Sequence, residues 1–335
     1  MGAGRGLSAG PSGLSGAMEP LPIITVSGLS KAYDSLPALQ GVSFTVPPGG
    51  MVAYLGPNGA GKTTTIKILS GLLDRDAGEV KICGRDVALE PVAVKRLIGV
   101  VPDESNLYPE LSCRRNLEYL GELYNLSRPR RKSRTGELLA LFDLEDRAAT
   151  PFGALSRGLK RRLTIAAALM HDPEVLFLDE PTTGLDVPSA RALRDLIRLI
   201  NHQGKTVFLT THNLQEAEVL CRQVVILIKG RVAAHGSTAA IRDRVRHLNL
   251  LEVAFSQDID PEEMRRVCPA ILALAPHNSV WRLEVADTHD ALSQLLAFCE
   301  RTGVRLEELS ATGGSLEDAF LEILHQNPAS PGKVS

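Results

Sequence analysis

An α/β fold with a mainly parallel sheet is what this sequence predicts, on three observations. The short apolar run Val52-Ala53-Tyr54-Leu55 leads through a glycine-rich turn into a helical pattern. Strand and helix patterns then alternate to about residue 240, the order that builds a parallel sheet with helices on its faces. Beyond 240 the pattern changes to short alternating strands and amphipathic helices, a small C-terminal α+β domain.

Composition sets the outer bounds. At 335 residues the chain is long enough for one large domain and a smaller one. The formal net charge of −2 supplies no global field for nucleic acid or anionic lipid, so no nucleic-acid partner is expected. Cys83, Cys113, Cys221, Cys268 and Cys299 form no C-x-x-C pair and read as reduced thiols, not as a disulfide or zinc framework. No run reaches 18 consecutive apolar residues. The chain is therefore not expected to span a membrane, and any membrane role would come through a partner.

Taken in order, residues 1–21 read as a disordered N-terminal tail rich in Gly, Ser and Ala. They lack the apolar stretch of a secretory signal, and Met18 is a candidate start. Ile23-Ile24-Thr25-Val26 and the stretch 41–46 read as strands, with Tyr33 between them. Pro47-Pro48-Gly49-Gly50 is a turn feeding the next strand. Residues 78–84 and 98–102 are further short strands, and residues 112–172 read as mostly helical. Inside that region the basic run 128–134 reads as a solvated helix start or loop, with a docking patch as the alternative. Strands follow at 175–180 and 206–212, with a helix between, and then a hairpin around Lys229-Gly230. The boundaries expected are 22–240 for the large domain, 241–326 for the accessory domain and 327–335 for a tail.

The chemistry centres on the glycine-rich turn. Gly56-Pro57-Asn58-Gly59-Ala60-Gly61-Lys62-Thr63 fits G-x-x-x-x-G-K-[ST], the phosphate-cradling loop or Walker A motif, and Thr64 opens the helix. Glycines let the backbone curl with its N–H groups inward, and an anion then lies at the positive end of the helix. Lys62 adds a point charge for the β and γ phosphates, and the Thr63 hydroxyl is placed to ligate Mg²⁺. A chance match would not require a strand before the loop and a helix after it.

Asp179 and Glu180 end the apolar run Val175-Leu176-Phe177-Leu178. In a parallel sheet that end faces the phosphate loop, so Asp179 can hold Mg²⁺ and Glu180 can act as general base on the attacking water. A salt-bridged surface carboxylate is the plainer reading of Glu180.

With these residues in place the chain resembles the ATP-binding subunit of an ABC transporter over residues 22–240. Leu155-Ser156-Arg157-Gly158-Leu159 resembles the family signature Leu-Ser-Gly-Gly-Gln, and Lys160-Arg161-Arg162-Leu163 continues it. Gly184-Leu185-Asp186 matches the D-loop, His212 the switch histidine and Tyr33 the adenine-stacking aromatic. Asp103 stands where the family places the glutamine of the lid loop. Arg157, Leu159 and Asp103 depart from the common pattern and resemble the ABC-2 type exporter ATPases, among them sodium- and drug-efflux pumps. The C-terminal piece ending in Ser315-Leu316-Glu317-Asp318-Ala319-Phe320-Leu321 also resembles that subgroup's accessory domain.

The resemblance implies an ABC ATPase fold: a P-loop core with antiparallel and helical subdomains. It implies ATP and Mg²⁺ as ligands, with Asp103 a further donor to the cation and His212 contacting the γ-phosphate. Ser156 and Gly158 would close over ATP held by a second copy of the chain, head to tail. An ABC-2 type permease would be the partner, placing the protein at the cytoplasmic face of the cell membrane. By themselves Tyr33 would be a packing aromatic, His212 a core or surface histidine, Asp103 a loop acid and Ser156 a helix cap. Two rival functions are a soluble ABC ATPase acting on a ribosome or DNA and a regulatory module that binds ATP without turnover. The single phosphate loop speaks against the first, and intact Lys62, Asp179, Glu180 and His212 against the second. The part after residue 240 is expected to be dispensable for ATP binding.

Overall fold

The structure, a computed structural model, describes residues 21–243, 249–277, 280–312 and 315–327. Nearly all of the expected N-terminal tail, and residues 328–335 of the C-terminal one, lie outside the described residues.

In chain order the large unit contains β1 (Ile24–Tyr33), β2 (Leu36–Val46), β3 (Met51–Leu55), α1 (Lys62–Leu69), β4 (Ala77–Ile82), β5 (Arg85–Asp86), α2 (Pro91–Leu97) and β6 (Ile98–Val101). There follow α3 (Cys113–Leu123), α4 (Arg128–Leu141), α5 (Arg157–Ala168), β7 (Val175–Asp179), α6 (Val187–His202), β8 (Thr206–Thr211), α7 (Leu214–Leu220), β9 (Gln223–Ile228), β10 (Arg231–Ser237) and α8 (Thr238–Arg242). The accessory part adds β11 (Asn249–Phe255), α9 (Pro261–Val267), β12 (Ile271–His277), β13 (Val280–Val285), α10 (Thr288–Thr302), β14 (Leu306–Thr312) and α11 (Leu316–Gln326).

The central sheet runs β10-β9-β3-β8-β7-β6, parallel except for β10. All residues of β3, β7 and β8 are buried, which explains why these strands read as continuous apolar runs without alternation. Their side chains split between two cores. Tyr54, Phe177 and Phe208 pack with Phe44 of β2 on one face, and Leu55, Leu178 and Leu209 pack with Leu117, Leu163 and Ile197 from the helices on the other. The first face is covered by the antiparallel sheet β2-β1-β4-β5. Register pairs Leu55 with Thr211 and Asp179 with Thr210. The C-terminal ends of β3, β8 and β7 therefore lie level at one edge of the sheet, where ligands of open α/β sheets bind.

Local chemistry moves several boundaries from those expected. β1 continues past Val26 to Tyr33 because a register shift follows Val26 and Gly28 takes φ +60°. Tyr33 thus ends a strand and does not lie in a linker. Gly61, at φ +108°, is the N-cap of α1, so that helix starts at Lys62 and not at Thr64. The helical region 112–172 is broken into α3, α4 and α5, with Ser112 and Ser156 capping the first and last.

β12-β13-β11-β14 form an antiparallel sheet with α9 and α10 packed against it, a β-α-β-β-α-β unit of ferredoxin-like order. The last helix departs from that unit. Leu316, Ala319 and Ile323 of α11 are buried in the core of the large unit, against α7 and α8, not in the accessory core. Ser315 and Asp318 form a capping box at its start. The Leu316 N–H lies 3.4 Å from Glu218 of α7. Arg282 of β13 bridges Asp318 at 2.7 Å and Glu252 of β11 at 2.7 Å, joining α11 to the accessory sheet. At its far end α11 shares a cavity with the phosphate loop, lined by Leu324, His325 and Asn327 on one side and residues 57–60 on the other.

Candidate active site

The loop between β3 and α1 keeps its shape through its glycines. A Cβ on Gly56 would lie 2.4 Å from the Leu227 carbonyl oxygen, and one on Gly61 2.7 Å from that of Ala38. Only glycine permits both approaches, and Gly61 also needs its left-handed φ. At the helix start the N–H groups of Lys62, Thr63 and Thr64 have no backbone partner. Lys62 is buried, and its ammonium donates to the carbonyls of Gly56 at 2.7 Å and Pro57 at 3.2 Å. Burial pulls its pKa down, and the carboxylates of Glu180 and Asp179 oppose that shift. A curled loop with open donors and a lysine folded into it fits a phosphate chain.

Asp179 is buried at the end of β7, and Thr210 Oγ donates to its Oδ1 at 2.5 Å. Burial raises its pKa, and the threonine hydrogen bond counters part of the rise. Glu180 follows at φ +46°, a conformation that costs a non-glycine residue energy and that clusters at functional sites. Its N–H donates to the Thr210 carbonyl at 3.1 Å. Its carboxylate accepts from Thr183 Oγ at 3.1 Å and lies 2.9 Å from His212 Nδ1. His212 is exposed, directly after β8, and Asn213 behind it caps α7.

Other expected residues fall around this centre. Asp103 lies after β6 in a small cleft with Arg157, Lys160, Thr183 and Leu185. Ser156 caps α5 by accepting from the Leu159 N–H at 3.4 Å, and Gly158 adjoins α6, where an added Cβ would stand 3.0 Å from Ser189 Oγ. Asp186 caps α6 through the Ser189 N–H at 3.1 Å. The guanidinium of Arg157 lies over Gly184, whose left-handed φ of +70° suits glycine. Tyr33 is half exposed at the end of the β1–β2 hairpin, whose second strand brings Ala38 and Leu39 against Gly61. Three contributors were not singled out from sequence: Thr210, Glu216 and Arg161. Glu216 is buried and accepts from Thr211 Oγ at 2.8 Å. Polar residues ending a buried apolar strand, as Thr210-Thr211 do, are the signal that finds the first two. Among the described residues no group of three or more His, Cys, Asp or Glu could hold a metal alone. A cation beside Thr63 and Asp179 would therefore complete its shell with phosphate oxygens and water, as Mg²⁺ does.

A phosphate loop after β3 and paired carboxylates at the end of β7, with β8 between the two strands, define a P-loop nucleotide hydrolase. The ABC transporter family profile matches residues 39–183. The chain is 37% identical to the daunorubicin resistance ATP-binding protein DrrA3 of Streptomyces coeruleorubidus, over 90% of this chain and 95% of that one. It is 32% identical to the linearmycin resistance ATP-binding protein LnrL of Bacillus subtilis, over 90% and 98%. It is 35% identical to the Nod factor export ATP-binding protein I of Burkholderia lata, over 91% and 97%. Among solved structures, the ATP-binding subunit of an ABC transporter superposes with TM-score 0.61 at 35% identity, over 66% of this chain and 92% of that one. The cassette MJ0796, a dimer in a post-hydrolysis state bound to ADP and Pi, does so with TM-score 0.58 at 28% identity, over 64% and 98%. The chain belongs to the ABC transporter ATP-binding proteins. It is the ATPase of such a transporter, hydrolysing ATP to drive transport, and its family works as dimers with a transmembrane component. Among the described residues no helix is long and apolar enough to cross a membrane.

Proposed function

We propose that this chain is the ATPase of an ABC-2 type exporter, bound to its permease at the cytoplasmic face of the cell membrane and working as a head-to-tail homodimer. Three relatives named for drug resistance or for export, each aligned over nearly its whole length, support that direction of transport. In this reading the loop 56–64 holds the phosphates of ATP, with Lys62 against the β and γ groups. Thr63 and Asp179, with Asp103 nearby, are the donors for Mg²⁺, which when bound neutralises developing phosphate charge. Tyr33 presents its exposed ring to adenine. Ser156 and Gly158 offer a second helix start to the nucleotide of the other copy, with Asp186 of the D-loop at the same interface. Glu180 takes the proton of the attacking water, and His212 contacts the γ-phosphate.

The observation that carries this reading is the Glu180 carboxylate, held 2.9 Å from His212 Nδ1 at the strand end one strand removed from the phosphate loop. A general base contributes about 10²–10⁴-fold to rate. Glu180→Gln should keep ATP affinity and lose steady-state hydrolysis by a factor in that range. Lys62→Ala should lose both. Hydrolysis by Glu180→Gln at the parental rate would remove the base assignment. Co-purification with a protein of several membrane spans tests the partner. A rim of exposed Leu72 and Tyr124 around the apolar groove between α1, β6, α3 and α5 is the surface to examine for that contact.

A further inference from the structure

Arg161 lies one turn into α5 and is buried, 8% exposed. A guanidinium has five N–H donors. Here each has a backbone carbonyl: Nε donates to Pro181 at 2.9 Å, Nη1 to Pro102 at 2.5 Å and Asp103 at 3.2 Å, and Nη2 to Asp179 and, at 2.9 Å, to Glu180. None of these partners is a carboxylate. The five carbonyls come from two segments only, the lid loop after β6 and the turn after β7. One planar group therefore fixes the spacing between the backbone of Asp103, the backbone of Asp179 and Glu180, and the helix that starts at Ser156. It also holds the Glu180 peptide in its strained conformation from the carbonyl side, while Thr210 holds the N–H side. Lysine cannot reproduce this, because its three donors converge on one atom.

We propose that Arg161 is a positioning residue for ATP hydrolysis, setting the Glu180 carboxylate against the lid loop through the backbone. The inference rests on the reading of Glu180 as the base. It predicts an effect on kcat and little on nucleotide binding, since Arg161 touches nothing in the loop 56–64. Geometric errors of about 1 Å cost on the order of a hundredfold in rate.

The test uses the full chain with MgATP and the variants Arg161→Lys and Arg161→Gln, each made alone and combined with Glu180→Gln. Folded Arg161→Lys should lose kcat about ten- to a hundredfold with KM within about threefold. In the Glu180→Gln background the same change should alter the single-turnover rate by less than about threefold, because the group being positioned is already gone. A folded variant with kcat within about twofold of the parent overturns the proposal. So does a loss carried by KM, or an equal loss in both backgrounds. If neither variant folds, Arg161 is a determinant of the fold and the positioning role is also rejected. Parental hydrolysis by Glu180→Gln alone would instead overturn the base reading, and the kcat of Arg161→Lys would still decide whether Arg161 positions the site.

Discussion

At the scale of single residues, the site is held by side chains that touch neighbouring backbone and carboxylates. Thr210 is the clearest case, donating to Asp179 and lying 3.2 Å from the Glu180 N–H. Thr210→Val keeps the volume and leaves a buried carboxylate without its donor, a loss of about 1–3 kcal/mol. Urea unfolding should show a lower midpoint with unchanged slope, and turnover should fall with it. Asp103→Ala should reduce turnover coupled to transport more than it reduces ATP affinity; equal losses in both would count against a lid-loop role. Away from the site, Asp86 supplies a pH dependence. Burial pushes its carboxyl up, but the N–H groups of Ala88 and Leu89 and the Arg75 guanidinium at 2.9 Å outweigh that and hold it below the ordinary value. A depressed carboxylate contributes stability above its unfolded pKa, about 3.9, and loses it as pH falls through the lower folded value. Asp86→Asn should therefore be less stable than the parent at pH 7, with the difference closing below about pH 4.

At the scale of elements, α11 departs from what its place in the chain implies. Deleting side-chain volume at a buried isoleucine costs about 2–5 kcal/mol, so Ile323→Ala should lower the melting temperature of the ATPase unit itself. A chain ending at Ser237 uncovers α7, the helix that starts just after His212, and should lose stability that a chain lacking only residues 249–312 keeps. Comparing the melts of the two checks this, and it qualifies the expectation that everything after residue 240 can be removed without cost to ATP binding. The amphipathic pattern of α11 was legible in the sequence; its destination was not, because periodicity shows that a helix has an apolar face and not which core receives it. The phosphate loop and Asp179-Glu180 were legible for the opposite reason. Their chemistry requires a fixed order of strand, loop and helix, and that order is local. Arg161 was hidden because its partners are carbonyls, which every residue has, and their convergence depends on tertiary packing alone.

At the scale of the whole molecule, the signature helix and the phosphate loop of one chain are proposed to serve different nucleotides. Subunits carrying Lys62→Ala mixed with subunits carrying Ser156→Arg would form dimers in which one site holds both defects and the other is intact. ATPase activity should return in part. Dead mixed dimers, beside an active dimer with both changes in one subunit, would refute the assignment in trans. The cavity between the end of α11 and residues 57–60 has a practical consequence. The last turn of α11 stands beside the Pro57-Asn58-Gly59 turn of the phosphate loop. That spot suits a fluorophore: a dye attached at His325, which is exposed and lines the cavity, should change its emission as ATP fills the loop, giving a binding signal that needs no radiolabel and no turnover.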